Sequence, residues 1–275
     1  MKEYLASVVS GVPRQAATNV MREYLQARVL QTLQDRGAWE YLAFHGGTAL
    51  RFLYAIPRFS EDLDFALEVD AAKYDFTALL EAVRTRFERE AYNVTLKVAT
   101  KTTVNKAFVR FVGLEHELGL SPQRDKTFSV KIEVDTNPPA GAVVEVTTVR
   151  RYATLRLAHH DRSSLLAGKI AALLLREWIK GRDVYDLVWY LSDPSWPEPN
   201  EVLLANACVQ AGRTELAHEG AWRSALYARM REAPWDHVLT DVERFLERDA
   251  DRWMLERETV LGVLRQRGVG EGQEA

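Results

Sequence analysis

The feature that most constrains this chain is a pair of glycines, Gly46 and Gly47, between a short apolar run and a helical pattern. Glycine lets a backbone approach a ligand closely, and the N-terminus of the following helix favours negative charge. Asp62 and Asp64 follow in an extended stretch, where residues two apart share a face. Two such carboxylates repel each other unless a cation lies between them, and hard cations such as Mg²⁺ take oxygen ligands. The pattern therefore predicts a site for a metal ion and a nucleotide.

The first half of the chain alternates between helical and strand patterns. Apolar residues three and four apart predict helices, whereas polar–apolar alternation between turn signals predicts strands. The predicted helices cover residues 13–36, 48–54 and 73–90. The predicted strands cover residues 41–44, 63–69, 93–100, 103–112, 127–135 and 143–148. This half is therefore expected to be α+β.

The second half of the chain has helical spacing, over 165–179, over 183–191 and in several helices within 201–267. We therefore predict an α+β fold class with three segments. These are an α+β domain over 1–158, a helical region over 159–267 and a disordered tail over 268–275.

Composition narrows the class of protein. The chain has 275 residues, 47% hydrophobic and 27% charged, which is typical of a globular protein. A net charge of −3 does not indicate a general nucleic-acid binder. The single cysteine, Cys208, lies in an apolar helical stretch, which predicts a buried thiol and fits a reducing cytoplasm. No run approaches about 18 apolar residues, so we expect no membrane contact and a cytoplasmic location.

A third carboxylate is expected on a neighbouring strand, because metal-assisted nucleotidyl transfer usually takes three. In the strand over 127–135, Lys131, Glu133 and Asp135 share one face. Asp135 precedes a turn at Thr136, so a capping role suits it equally well.

The string from His45 to Arg51, followed by Arg58 to Phe65, resembles the first motif of the AbiEii/AbiGii group of nucleotidyltransferase-like toxins. That group belongs to the DNA polymerase β-type nucleotidyltransferase superfamily. The resemblance implies a small mixed sheet flanked by helices, with an appended C-terminal helical region. It also implies Glu133 as the third metal ligand, although members of the superfamily more often have aspartate there.

Residues 165–187 resemble the second conserved region of the same toxins. The resemblance implies that Lys169 is catalytic and contacts the nucleotide phosphates, and that Arg182 and Asp183 support the site. Asp183 and Asp186 are three apart and share a helix face, so they either orient Lys169 or meet the substrate. Asp183 alternatively caps the helix start.

Other polar residues near the glycine pair are candidate nucleotide contacts. Thr48 and Ser60 offer hydroxyl groups to phosphate. Arg51 and Arg58 either hold phosphates or pair with Glu61. The nucleotide-binding residues expected in all are Gly46, Gly47, Thr48, Arg51, Ser60, Lys169, Arg182, Asp183 and Asp186.

Three further features have plainer interpretations. Adjacent residues diverge on any regular element, so His159 and His160 are interpreted as surface residues rather than as a ligand pair. The aromatic residues near the predicted basic helices are interpreted as core rather than as platforms for a base; they are Trp178, Trp189 and Tyr190. Eight Lys and Arg residues between 150 and 182 either form a basic surface for a triphosphate or RNA, or a solvated helix face.

The resemblance implies a metal-dependent nucleotidyltransferase, the toxin of a toxin–antitoxin system. The enzyme would move a nucleoside monophosphate from an NTP to an acceptor hydroxyl, with Mg²⁺ or Mn²⁺ as cofactor. The implied partners are the NTP, a tRNA acceptor whose 3′ end is modified to block translation, and an antitoxin protein. Two alternatives stay open. One is transfer to a small molecule or a protein, and the other is a regulator that binds NTP without turnover.

Overall fold

A computed structural model describes residues 2–69 and 71–270, which divide into two compact units. The sheet unit comprises the residues up to Ala55, then Phe59–Pro138 and Glu145–His159. The helical unit comprises Ile56–Arg58, Pro139–Val144 and the residues from His160 onwards. The helical unit thus takes two short segments from the range predicted for the α+β domain.

Within the described part of the chain, seven strands form one mixed sheet in the order β3-β4-β5-β2-β1-β7-β6. The strands are β1 Leu42–His45, β2 Asp62–Leu67, β3 Val94–Ala99, β4 Val104–Val112, β5 Thr127–Asp135, β6 Val144–Arg151 and β7 Ala153–His160. Strand β2 lies antiparallel to β1 and parallel to β5, so two strands distant in sequence become neighbours at the centre of the sheet. The predicted mixed sheet flanked by helices is confirmed.

The residues of β5 explain the two faces of the sheet. Phe128, Val130, Ile132 and Val134 are buried, whereas the residues between them are half-buried. Alternation with period two sends the apolar side chains into the core and the polar ones to the opposite face. Strand β2 continues this division, because Leu63 is buried and Asp62 and Asp64 are partly exposed. The face that carries the charges is therefore the face that carries the candidate site.

Helices complete the sheet unit. They are α1 Lys2–Ser10, α2 Arg14–Asp35, α3 Gly46–Tyr54, α4 Phe76–Arg89 and the short α5 Leu114–Glu117. Helix α2 is buried along most of its second half, and Tyr24, Leu25 and Val29 are completely inaccessible to solvent. The strand-to-helix passage from β1 into α3 at Gly46 confirms that element order.

The helical unit contains α6 Arg162–Leu175, α7 Gly181–Ser192, α8 Glu201–Gln210, α9 Ala221–Arg231, α10 Trp235–Glu243 and α11 Arg257–Gln266. Asp161 begins α6, and its carboxylate accepts a hydrogen bond of 2.8 Å from the backbone N–H of Ser164. Helices α7 and α10 pack closely at Gly181, where a Cβ atom would lie 1.8 Å from the Val238 carbonyl oxygen. Cys208 is buried, as predicted.

Several expectations need correction. Helix α1 and strand β7 were not predicted, because α1 is short and the alternation of β7 breaks down at Ala158-His159-His160. His159 and His160 are buried rather than on the surface, since they end β7, an interior strand between β1 and β6. Trp178 is 64% exposed rather than in the core.

The C-terminal residues fall partly outside the described range. From residue 271 onwards, the predicted tail over 268–275 lies outside the described residues. Before that point Val269 is buried, and its N–H donates to the Leu264 carbonyl, which closes α11. No helix within 2–69 or 71–270 combines the length and apolar character that a membrane span requires.

Candidate active site

The pairing of β2 with β5 brings three carboxylates onto one face of the sheet unit. Asp64 lies opposite Glu133 across the two parallel strands, and Asp62 lies two residues earlier, opposite Lys131. Directly paired residues project from the same face of a sheet. Asp135 lies opposite Ala66, and its carboxylate instead accepts a hydrogen bond of 3.0 Å from the Asn137 N–H. The register therefore places Glu133, and not Asp135, beside an aspartate of β2.

The glycine turn lies against Asp64. Gly46 has a φ of +77°, and a Cβ atom there would lie 2.6 Å from the Asp64 carboxylate oxygen Oδ2. Only glycine tolerates both this left-handed backbone and this close approach. Helix α3 begins at the same residue, and the N–H groups of a first helical turn have no partners within the helix. The turn therefore places the partial positive charge of the N-terminus of α3 beside the Asp64 carboxylate.

Thr48 connects the turn to the aspartate strand. It is completely buried, and its hydroxyl donates a hydrogen bond to the backbone carbonyl of Asp62. The hydroxyl is thus engaged with the protein, whereas the backbone N–H of Thr48 lies in the first turn of α3. Thr48 fixes the start of α3 relative to β2.

Two lysines balance the charge of the carboxylates. Lys131 Nζ lies 2.6 Å from a Glu133 carboxylate oxygen and 3.7 Å from Asp62 Oδ2. Lys106, from β4, lies 3.3 Å from the other Glu133 oxygen. Burial opposes the charge of Lys131, but Glu133 and Asp62 outweigh burial and raise the pKa of Lys131. Burial also opposes the charge of Glu133 and so raises its pKa. The charges of the two lysines outweigh burial, and the pKa of Glu133 is lowered overall.

The donor set suits a hard divalent cation. Asp62 and Asp64 offer carboxylate oxygens from one strand face, which is the chemistry that Mg²⁺ prefers. No group of three or more His, Cys, Asp or Glu side chains converges for a metal ion among the residues that the structure covers. Glu133 is turned to its two lysines, which explains why it does not converge with the aspartates. The two aspartates therefore fit such an ion.

Gln26 of α2 holds the segment before β2. Its buried side-chain amide donates hydrogen bonds of 3.1 and 3.0 Å to the carbonyls of Ser60 and Glu61. Arg22, one turn earlier, lies 3.7 Å from the Glu61 carboxylate. The sequence analysis did not identify Gln26. It could have been noticed as a polar residue among the apolar residues of the helix predicted over 13–36.

Arg51 has a partner inside the sheet unit. Its guanidinium donates a hydrogen bond of 2.5 Å to the Glu23 carboxylate and lies 4.7 Å from the centre of the Phe59 ring. Arg151 and Tyr152 donate to the same carboxylate over 2.8 to 3.1 Å. This buried cluster joins α2, α3 and the end of β6, and the assignment of Arg51 to a nucleotide stays a prediction.

Lys169, Asp183 and Asp186 come together in the helical unit, which is one of the arrangements that the sequence left open, and form an ion-pair cluster with Arg58 and Arg176. Lys169 Nζ lies 2.6 Å from Asp183 and 2.7 Å from Asp186. Arg58 donates two hydrogen bonds of 2.5 Å to Asp186, a partner that the sequence did not suggest. Arg176 pairs with Asp183.

The charges in this cluster sustain each other. Burial by itself raises the pKa of Asp183, but the charges of Lys169 and Arg176 outweigh burial and lower that pKa to about 2. Burial opposes the charges of Arg58 and Lys169, and the two aspartates overcome it and raise the pKa of both cations. Three cations against two carboxylates leave one positive charge.

Arg182 lies elsewhere in the helical unit. Its guanidinium is 4.5 Å from the centre of the Phe245 ring, and its Nε is 3.8 Å from Asp241. Several side chains of the predicted basic segment are thus ion-paired within their own units. These are Arg151, Lys169, Arg176 and Arg182.

Two solved structures share this fold. MenT4, a nucleotidyltransferase toxin from Mycobacterium tuberculosis H37Rv, is 17% identical with a TM-score of 0.54, over 99% of this chain and 94% of that chain. JHP933 from Helicobacter pylori is 17% identical with a TM-score of 0.51, over 91% of this chain and 94% of that chain. No curated protein matches the sequence.

A family model matches most of the chain. The model of the nucleotidyl transferase AbiEii toxin of type IV toxin–antitoxin systems covers residues 28–257. That range includes the glycine turn, all three carboxylates and the ion-pair cluster of the helical unit. Membership implies an NTP substrate and an antitoxin partner. The chain therefore belongs to the AbiEii family of nucleotidyltransferase toxins of type IV toxin–antitoxin systems.

Proposed function

We propose that this toxin transfers a nucleoside monophosphate from an NTP to an acceptor hydroxyl and releases pyrophosphate. The observation that carries the proposal is the register of β2 with β5, which puts Asp64 opposite Glu133 and Asp62 on the same face. Such a face concentrates negative charge beside a helix N-terminus. That combination suits a ligand in which a cation and phosphate groups are bound together.

The proposed reaction exchanges one bond at phosphorus. The acceptor hydroxyl releases its proton to solvent, its oxygen bonds to the α-phosphorus of the NTP, and the bond from that phosphorus to the pyrophosphate oxygen breaks. Asp62, Asp64 and Glu133 would hold Mg²⁺ or Mn²⁺. A divalent cation bound there supplies charge neutralisation at the phosphates and lowers the pKa of the acceptor hydroxyl.

The glycine turn contributes backbone groups. Gly46, Gly47 and Thr48 open α3, so their N–H groups can donate hydrogen bonds to phosphate oxygens. The absence of a side chain at Gly46 keeps Asp64 in place beside them. Ser60, which directly precedes Glu61 and Asp62, is the proposed hydroxyl contact from the same segment.

In the helical unit, Lys169 and Arg182 are the proposed phosphate contacts, with Asp183 and Asp186 as positioning residues for Lys169. The two carboxylates hold the Lys169 ammonium in one place, which supports a positioning role. The cluster keeps one unbalanced positive charge, which favours an anionic ligand.

The proposed acceptor is the 3′ end of tRNA. A toxin that adds a nucleotide to a hydroxyl arrests growth when that hydroxyl is essential, and the tRNA 3′ end must be free to carry an amino acid. Support for this acceptor comes from the family membership of the chain and not from its surface charge.

The test is a label-transfer experiment. The purified protein is incubated with each α-³²P-labelled NTP, Mg²⁺ and total RNA, and the products are separated by size. We expect label in a tRNA-sized band, lost in Asp64→Asn. Asp135→Asn is the matched control, because it changes a carboxylate on the same face of β5 that caps a turn.

Each other outcome identifies an alternative. Label in protein or in a small molecule would replace tRNA as acceptor and keep the transfer reaction. NTP binding without any labelled product would instead indicate a regulator that binds nucleotide without turnover. Transfer that survives Asp64→Asn would refute the assigned site.

A further inference from the structure

Lys131 lies between two carboxylates of the candidate metal site. Its Nζ is 2.6 Å from Glu133 and 3.7 Å from Asp62, and its side chain is only about one quarter exposed. Strand register explains this position, since Lys131 is directly opposite Asp62 and two residues before Glu133. A monovalent cation from the protein thus lies among the ligands proposed for a divalent one.

Lys106 adds a second, weaker contact. It lies on β4 directly opposite Glu133, and its Nζ is 3.3 Å from that carboxylate. Its side chain is 45% exposed, so solvent screens this pair more than the pair with Lys131. Three carboxylates and two ammonium groups leave a single net negative charge.

We propose that Lys131 is the internal counter-cation of the Asp62, Asp64 and Glu133 cluster in the metal-free toxin, and that a divalent cation must displace it from Glu133. The inference rests on the proposed function of these carboxylates. Lys131 then has two opposite effects. It stabilises the metal-free protein, and it weakens metal binding.

The physical reason is charge competition. Three like charges on one sheet face repel each other, and the Lys131 ammonium relieves that repulsion. A divalent cation relieves it more fully, but it must first break a close, charge-assisted hydrogen bond. Removing a unit charge at this distance shifts an ionic equilibrium by about tenfold or more.

The experiment measures Mn²⁺ binding by electron paramagnetic resonance of the free ion, and the melting temperature in EDTA. The variants are Lys131→Met, which removes the charge, and Lys131→Arg, which keeps it. Lys97→Met is the matched control. Lys97 is exposed and lies in the same row of the sheet as Lys131, two strands further on. The separation of about 10 Å is about one Debye length, so solvent and salt weaken the effect of its charge on the site.

The inference predicts that Lys131→Met binds Mn²⁺ about tenfold more tightly than the wild type and melts at a lower temperature in EDTA. Lys131→Arg and Lys97→Met should both bind within about twofold of the wild type. Lys106→Met should bind about threefold more tightly, because it removes the more exposed of the two lysines. The Lys106 variant keeps the test available if Lys131→Met does not fold.

Two results would overturn the inference while leaving the metal site intact. One is Mn²⁺ binding by Lys131→Met that is no tighter than that of the wild type. The other is an equal gain in Lys97→Met, which would indicate a general effect of net charge. A wild type that binds no Mn²⁺, or an Asp64→Asn variant that binds it equally well, would refute the metal site itself and the inference with it.

Discussion

The Arg58 guanidinium donates two hydrogen bonds of 2.5 Å to the two carboxylate oxygens of Asp186, although the residues are 128 positions apart in sequence. Both side chains are almost inaccessible to solvent. This ion pair holds the segment Ile56–Arg58, which is separated from the aspartate strand by three residues, within the helical unit. It is also the innermost contact of the cluster that holds Lys169.

Breaking the Arg58–Asp186 pair should destabilise the helical unit strongly. Arg58→Met leaves Asp186 buried with one fewer cation, and removal of one partner of a buried pair typically costs about 3–5 kcal/mol. Arg58→Lys should recover only part of this, because lysine cannot reproduce two parallel hydrogen bonds. The measurement is urea unfolding followed by circular dichroism. Arg84→Met is the control, since the Arg84 side chain is 42% exposed and pairs with exposed glutamates of its own helix, so its midpoint should change little. An unchanged midpoint in Arg58→Met would show that the pair contributes no stability.

The Asp183 carboxylate should make the protein sensitive to acid. Its pKa is about 2 in the folded state against a usual 3.8, so its stabilising effect is complete above pH 4 and is lost as the pH falls towards 2. This pKa difference corresponds to about 2 kcal/mol in the free energy of unfolding. The free energies of unfolding of the wild type and Asp183→Asn should therefore converge by about 1–2 kcal/mol between pH 5 and pH 2. A constant difference over that range would contradict the assigned ion pairs.

Two glycine-to-alanine changes on consecutive helices should have opposite effects. In Gly181→Ala the new Cβ would lie 1.8 Å from the Val238 carbonyl oxygen, so α7 must move away from α10 at a cost of about 3 kcal/mol or more. In Gly168→Ala the Cβ meets nothing within 4 Å, and the better helix propensity of alanine should stabilise α6 by about 0.5–1 kcal/mol. Thermal unfolding measures both. Equal melting temperatures of Gly181→Ala and Gly168→Ala would contradict the close contact between α7 and α10 at Gly181.

Gly46→Ala should impair nucleotide transfer more than stability. The added Cβ would displace the Asp64 carboxylate, which lies 2.6 Å away, and we expect transfer to fall at least tenfold, about 1.4 kcal/mol in the barrier. Gly119→Ala is the matched control, because Gly119 has a similar positive φ of +70° with nothing within 4 Å. Gly119→Ala should lose about 1 kcal/mol in stability, the cost of a left-handed backbone conformation for alanine, and should keep its activity. Full activity in Gly46→Ala would exclude a role for this turn.

The strands that carry the site could be predicted well from the sequence. The alternation in β5 is unbroken over 127–135, and the observed strand has the same bounds. The strand-to-helix turn at Gly46 could be predicted because two consecutive glycines lie between an apolar run and a helical pattern, and glycine favours turns. Local pattern was sufficient for strands such as β5, in which one face is buried and the other is not.

Contacts between distant residues could not be predicted in the same way. Nothing local to Lys131 indicates which strand lies beside β5, so its position opposite Asp62 depends on the parallel pairing. Arg58 was assigned to phosphates or to Glu61 because they are close in sequence, whereas its partner Asp186 becomes a neighbour only through folding. The buried His159 shows the same limit, since a polar side chain does not indicate that its strand lies inside the sheet rather than at its edge.

The most direct test of the account is the transfer assay applied to the four carboxylates of the two central strands. Asp62→Asn, Asp64→Asn and Glu133→Gln should each lower labelled product by about a hundredfold or more, since each would remove a ligand of the reacting phosphate's cation. Asp135→Asn should remain within about threefold of the wild type, because that carboxylate caps a turn. Wild-type transfer by Asp64→Asn or by Glu133→Gln would contradict the central claim that these residues form the active site.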